Sequence, residues 1–313
     1  MKYSATQKAI GALIIANIIW GATAPILKVS LTNIPPFTLA FWRFFLGAGI
    51  LLLFLRKRAA FPVTLHKDLH LLVFYALSGI TINIIFFFLG LRLTYSINAP
   101  VIASGQPLLT MLLAILLLRE KLQRKKVVGM LAGLAGMMVI ILQPLLQTGL
   151  DSAFLGNFFL LLAAVAAVGQ TIIGRAVLPK YDPVNFTFWA CVIGFMSFLP
   201  LAIYEAGSIP ALYTSLDWRG YLGIGYGALF STAMAYGLFA WGLSKIPASD
   251  AQMFTYIDPV IGTILGSLLL HEPITKFFLL GTLFIFGGIF IAEGRIHYHP
   301  FHRLTHREIT PPE

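Results

Sequence analysis

The chain has 313 residues and a formal charge of +10, with 58% of its residues hydrophobic and only 11% charged. Soluble domains carry about 25% charged residues, so a water-soluble globule of this size is excluded for want of polar surface, and a disordered chain for excess of apolar residues. Lipid is the solvent that fits, and a polytopic helical membrane protein is the first expectation.

A helix needs about 20 mostly apolar residues to cross a bilayer. Ten segments meet that need in chain order: 9–28, 37–55, 70–90, 95–117, 127–143, 153–174, 184–204, 219–241, 248–270 and 275–292. The first follows Lys2 and Lys8 as a signal peptide would, but it holds Asn17, Trp20 and Pro25 and lacks a small-residue cleavage pattern; it is read as a span. Arg43 lies within the second span. The fifth and tenth are short and are expected to brace the bundle. Ten segments that are apolar all round cannot share one soluble core.

Between the spans no gap is long enough for a soluble domain. The polar tail, 296–313, carries His297, His299, His302 and His306; its loose spacing reads as a solvated cytoplasmic tail more readily than as a metal site. Cys191 is the sole cysteine, so neither an intrachain disulfide nor a cysteine zinc site is expected. No cofactor is expected. The basic residues sit in short gaps with no basic domain to hold nucleic acid. Seventeen of them fall on the side of the N-terminus and four on the other, with Arg43 inside a span. That bias places both termini in the cytoplasm, which requires an even number of spans.

The chain also repeats itself. At an offset of 152, Gly90 meets Gly242, Pro107 meets Pro259, Glu120 meets Glu272, Gly129 meets Gly281 and Gly136 meets Gly288. At 147, Lys28 meets Arg175, Pro36 meets Pro183, and Phe41-Trp42 meets Phe188-Trp189. The expected organisation is therefore a five-helix repeat over 1–147, a second over 148–295, and the tail. Five is odd, so the second copy enters the membrane from the opposite side. Inverted repeats of this kind are common in alternating-access transporters, with the substrate site near the midplane between the halves. Duplication kept for packing alone is the bland alternative.

The runs Asn98-Ala99-Pro100 through Gln106-Pro107 to Leu118-Arg119-Glu120-Lys121, and Ala248-Ser249-Asp250-Ala251 through Pro259 to Leu270-His271-Glu272, resemble the drug/metabolite transporter superfamily, and within it the EamA-type group. Trp20-Gly21 and Phe41-Trp42-Arg43-Phe44 are similar to that group as well. The resemblance implies ten helices in two inverted five-helix repeats, a central cavity, and export or exchange of small metabolites such as amino acids; export across the inner (cytoplasmic) membrane is the expected direction. The second copy departs from the first where Asp258 stands in place of Gln106 and His271 in place of Arg119.

Polar residues inside spans are costly and mark function or helix contacts. Arg43 is a candidate anchor for a substrate carboxylate, against the alternative of a side chain that reaches the headgroups or backbone carbonyls. Asp258, just before Pro259, is the candidate for proton coupling, against a packing role. Asn17, Trp20, Asn83, Asn98, Gln106, Gln170 and Tyr256 complete the candidate substrate-binding set, with Tyr236 and Trp241 weaker members. Each has a rival role as glue between helices. Glu120 and Glu272 are expected to pin span ends. The glycines at 129, 133, 136, 262 and 266, and those at 223, 225 and 227, are expected to let helices approach closely. Nucleotide-loop, zinc-protease and nucleophile-elbow patterns do not occur, so no enzyme is expected. The partners expected are a small-molecule substrate, an amino acid or similar metabolite, and membrane lipid, for a monomer or homodimer. A non-transporting sensor or scaffold is the rival class, distinguished by a dry, closed core.

Overall fold

The computed structural model describes residues 5–59, 67–118, 124–149, 151–177, 180–243, 245 and 252–293. Its main elements are helices: α1 (Ala5–Ser30), α2 (Pro36–Leu55), α3 (Leu69–Leu93), α4 (98–118), α5 (Arg124–Thr148), α6 (Ser152–Val177), α7 (Pro183–Ser208), α8 (218–243), α9 (Ile257–Leu270) and α10 (Lys276–Glu293). Seven of these, α1 to α3 and α5 to α8, are long and apolar enough to cross a bilayer. Large apolar side chains such as Phe54 and Leu53 are 81% and 76% exposed on the outside of the bundle, where water would penalise them and lipid does not. The protein is an all-α polytopic membrane protein with several apolar spans.

Helix boundaries follow local chemistry. Pro36 opens α2 and Pro183 opens α7, each at a first position where no backbone donor is needed. The Asp182 carboxylate accepts from the Val184 and Asn185 amides, capping α7. Gly105 interrupts α4 two residues before Pro107, and α9 becomes regular only at Ile257, two residues before Pro259, after a tighter turn over Gln252–Tyr256. In both cases proline withholds the amide that would bond the carbonyl four residues back. The fifth helix corrects one expectation: with 25 residues it is not short, because the basic start at Arg124 and the stretch around Pro144 continue it. Inside α3 and α8, wider turns over Leu77–Ile82 and Tyr226–Met234 each insert extra backbone into the helical ladder.

α5 packs along α10, α2 along α7 and α8, α3 along α6, and α1 along α8 and α9. Glycines set the closest approaches. A Cβ on Gly136 would lie 2.5 Å from the Gly281 carbonyl oxygen, and one on Gly288 would lie 2.5 Å from that of Gly129. On Gly47 it would meet Thr232 Cγ2 at 2.6 Å, and on Gly194 it would meet Ile80 Cγ2 at 2.5 Å. On Gly90 it would meet Leu160 Cγ at 2.8 Å, and on Gly242 it would meet Leu13 Cγ at 2.7 Å.

One end of the bundle is tied by polar contacts. Glu272, 5% exposed, pairs with Lys28 Nζ at 3.1 Å and accepts from the Ser96 and Ile97 amides and the Ser96 hydroxyl. Lys28 also donates to the Thr94 carbonyl. Glu205 at the close of α7 accepts from the Phe37 and Thr38 amides, capping α2. Asn33 bridges to the Ser215 carbonyl and the Asp217 amide. Glu120, proposed from sequence as the counterpart of Glu272, lies outside the described residues.

Candidate functional site

Arg43 projects from α2 and is 3% exposed. Its Nε donates to Thr232 Oγ1 at 3.1 Å and its Nη2 to Ser231 Oγ at 3.0 Å. Both acceptors lie in the widened turn of α8, which brings two successive hydroxyls onto the guanidinium. Gly227, one turn earlier, makes room: a Cβ there would come within 2.9 Å of the Arg43 side chain. The third nitrogen, Nη1, is buried with no hydrogen-bond partner. The ion pairs among the described residues are Lys28–Glu272, Lys180–Asp68 and Arg219–Asp217, so none engages Arg43. The Arg43 guanidinium is therefore buried with one nitrogen unpartnered and no acid paired to it among the described residues.

α1 completes one side. The Thr23 hydroxyl lies 3.1 Å from Ser231 Oγ, and Trp20 Nε1 donates to the Ser231 carbonyl at 3.1 Å. The Trp20 ring packs edge-on against Tyr236 and tilted against Phe239. Tyr226 donates to the Ile19 carbonyl at 2.6 Å. Tyr236 and Cys191 lie within electrostatic reach of Arg43, and Tyr75 within reach of both. Polar hydroxyls thus gather at Arg43, with aromatic faces around them.

The other sequence candidates fall elsewhere. Asp258 sits on the seam between α1 and α9, where a Cβ on Gly21 would meet its backbone, and its Oδ1 is buried without a partner. Gly21 and Thr23 are two residues apart and so lie on nearly opposite faces of α1; Asp258 and the Arg43 cluster are on different sides of that helix. Asn17, fully buried, donates to the Leu13 carbonyl and keeps a partnerless Oδ1. Asn83 donates to the Ala163 carbonyl, joining α3 to α6. Asn98 belongs to the tied end: its amide donates to Thr94 Oγ1 and Asn157 Oδ1, and Asn157 in turn donates to the Ile140 carbonyl. Gln106 stands just after the Gly105 break. Gln170 lies over Gly79, beside the Tyr75 hydroxyl. Tyr256 packs edge-on against Phe286.

Thr23, Ser231 and Thr232 were not legible in the sequence. Hydroxyl residues inside apolar runs usually bond their own helix backbone, as Thr23 does at the Ile19 carbonyl, and only the fold brings Ser231 and Thr232 onto Arg43 and Thr23 onto Ser231. Their one sequence signal is a Ser-Thr pair following a glycine-rich face. Among the described residues, no group of three His, Cys, Asp or Glu side chains could share a metal ion. A groove of about 450 Å³ between α5 and α10 is lined by apolar side chains including Met138, Leu142 and Phe277, and suits lipid tails.

A sequence profile of the EamA-like transporter family matches residues 7–142 and again residues 154–293. An uncharacterized transporter of Bacillus subtilis, YetK, is 30% identical over 280 residues, covering 88% of this chain and 84% of its own. A probable amino-acid metabolite efflux pump of Escherichia coli is 25% identical over 283 residues, covering 88% and 91%. A solved crystal structure superposes with a TM-score of 0.61 at 19% identity, covering 93% of this chain and 98% of that one; it shares the fold.

Proposed function

The chain belongs to the EamA-like transporter family, and from that premise we propose that it exports small carboxylate-bearing metabolites by alternating access. It is a transporter of small metabolites and not an enzyme. The finer reading is of ten spans in two inverted five-helix repeats, 1–147 and 148–295, in the cytoplasmic membrane with both termini and the tail 296–313 in the cytoplasm. The named function of the Escherichia coli relative supports amino acids as the starting class.

The observation that carries the proposal is a set of exchanged contacts. Adding the sequence offsets converts Gly47–Thr232 into Gly194–Ile80, and Leu13–Gly242 into Leu160–Gly90; Gly129–Gly288 becomes Gly281–Gly136. The widened turns of α3 and α8 exchange as well, and the family profile matches twice. Contacts that map onto themselves are expected of a pseudo-twofold pair, which can form two related arrangements, one open to each side. In the present arrangement the Lys28–Glu272 end is tied, and the tied end is assigned to the outside by the basic-residue bias.

In this reading Arg43 anchors the carboxylate, Trp20 and Tyr236 wall the apolar part, and Asp258 carries the coupling proton. Exchange of labelled N-acetylleucine, an amino-acid derivative that keeps the carboxylate, across liposomes holding the purified protein tests the function. Saturable counterflow that disappears in Arg43→Gln is expected. Counterflow that survives in that variant removes Arg43 from the site.

A further inference from the structure

The exchange that relates the two halves also shows where they differ, and the difference bears on substrate class. The image of Arg43 is Ala190, the image of Ser231 is Gly79, the image of Thr232 is Ile80, and the image of Thr23 is Gln170. One half therefore presents a cation with hydroxyls, and the other presents an amide among apolar groups. The Gln170 side chain fills the space that Gly79 leaves: a Cβ there would fall 1.8 Å from Gln170 Cδ. The Gln170 amide lies beside the Tyr75 hydroxyl, and its Nε2 is buried with no hydrogen-bond partner. Tyr75, Cys191 and Tyr236 lie within electrostatic reach of one another, and the latter two within that of Arg43, which sets the two poles in one region of the bundle.

Both poles end in an unsatisfied donor, Nη1 of Arg43 and Nε2 of Gln170. An acid to receive an ammonium group is missing from this region among the described residues. Asp68, Asp151, Asp182, Glu205, Asp217 and Glu272 are each engaged at helix ends, and Asp258 lies across α1. A free ammonium placed beside Arg43 would meet a like charge with no counter-charge in a poorly solvated site.

We infer that the site selects net anions, carboxylates whose amine is acylated or absent, and that Gln170 is the specificity-determining residue that donates to a second, uncharged acceptor such as an acyl or keto oxygen. This rests on the proposed carboxylate site at Arg43 and narrows it.

Binding of three probes to the full chain in detergent, measured by calorimetry, tests the inference: leucine, 4-methylpentanoate and N-acetylleucine. They share an apolar body and a carboxylate, and differ in the ammonium and the second acceptor. N-acetylleucine is expected to bind about tenfold more tightly than 4-methylpentanoate, as one buried hydrogen bond allows, with leucine weakest. Gln170→Leu should bring N-acetylleucine down to the level of 4-methylpentanoate and leave the latter unmoved. The near-isosteric Gln170→Glu should reverse the order in favour of leucine. Tightest binding of leucine to the wild type, or equal loss of both anions in Gln170→Leu, overturns the inference while leaving an Arg43-dependent carboxylate site standing. Binding of the probes that is indifferent to Arg43→Gln overturns both.

Discussion

Ser231 Oγ receives the Arg43 guanidinium at 3.0 Å while lying 3.1 Å from the Thr23 hydroxyl, so one serine joins α2, α8 and α1. Removing it leaves a second guanidinium nitrogen without a partner in a buried setting. Ser231→Ala is expected to cost about 1.5–3 kcal/mol, the range for hydrogen bonds to charged groups, read as a lower thermal midpoint in detergent. Thr232→Val removes the Nε acceptor at nearly constant volume and should cost a similar amount.

Gly136 and Gly288 stand at exchanged positions, each facing a carbonyl oxygen of the other helix. Gly136→Ala and Gly288→Ala should each destabilise by about 1–3 kcal/mol, because α5 and α10 must separate to admit the methyl group. Thermal unfolding of both variants checks this; a large effect from one and none from the other would contradict the exchange.

Glu272 holds Lys28 and the backbone at the start of α4 together. Glu272→Gln keeps the shape but lowers the charge-assisted bonds, at an expected cost of about 1.5–3 kcal/mol. Labelling of a cysteine placed at Ser96 by a membrane-impermeant reagent should rise in this variant as the tied end loosens.

Asp68, at the opposite end, is held below the usual carboxylate range by hydrogen bonds from Lys180 and Tyr181. A carboxylate with a depressed folded-state value adds stability above its unfolded value, and that stability is lost as pH falls through the folded one. Unfolding midpoints should be flat across neutral pH and fall on the acid side below about pH 4. Asp68→Asn should blunt that acid limb; an unchanged limb would show that the contact carries no linkage. The pair is exposed, so the effect is small.

Asp258→Asn should leave N-acetylleucine counterflow intact and abolish its uptake driven by a pH gradient. Retained gradient-driven uptake would dismiss the aspartate from coupling.

Much of the fold was legible because it rests on local chemistry. The prolines at 36 and 183 announce helix starts, and those at 107 and 259 announce the breaks near Gly105 and Ile257. The widened turns over Leu77–Ile82 and Tyr226–Met234 were not legible, since an inserted residue is chosen by what the helix packs against and not by a residue type. For the same reason Arg43 and Trp20 stood out as costly residues in apolar runs, whereas Thr23, Ser231 and Thr232 acquired their places only through contacts between distant helices. Asn98 was as conspicuous as Arg43, but its partners Thr94 and Asn157 bind it at the tied end. A conspicuous polar residue gives the cost of burial, and not the partner that offsets it.

Alternating access by this chain requires two copies of one helical unit entering the membrane from opposite sides. Single cysteines at Lys8 and Gln147, both exposed and flanking the first five helices, measure this directly when intact cells are treated with an impermeant thiol reagent. Cys191 is buried and does not interfere. Labelling of the Gln147→Cys variant from outside, with Lys8→Cys protected until the cells are opened, is the predicted result. Labelling of both from the same side would contradict it.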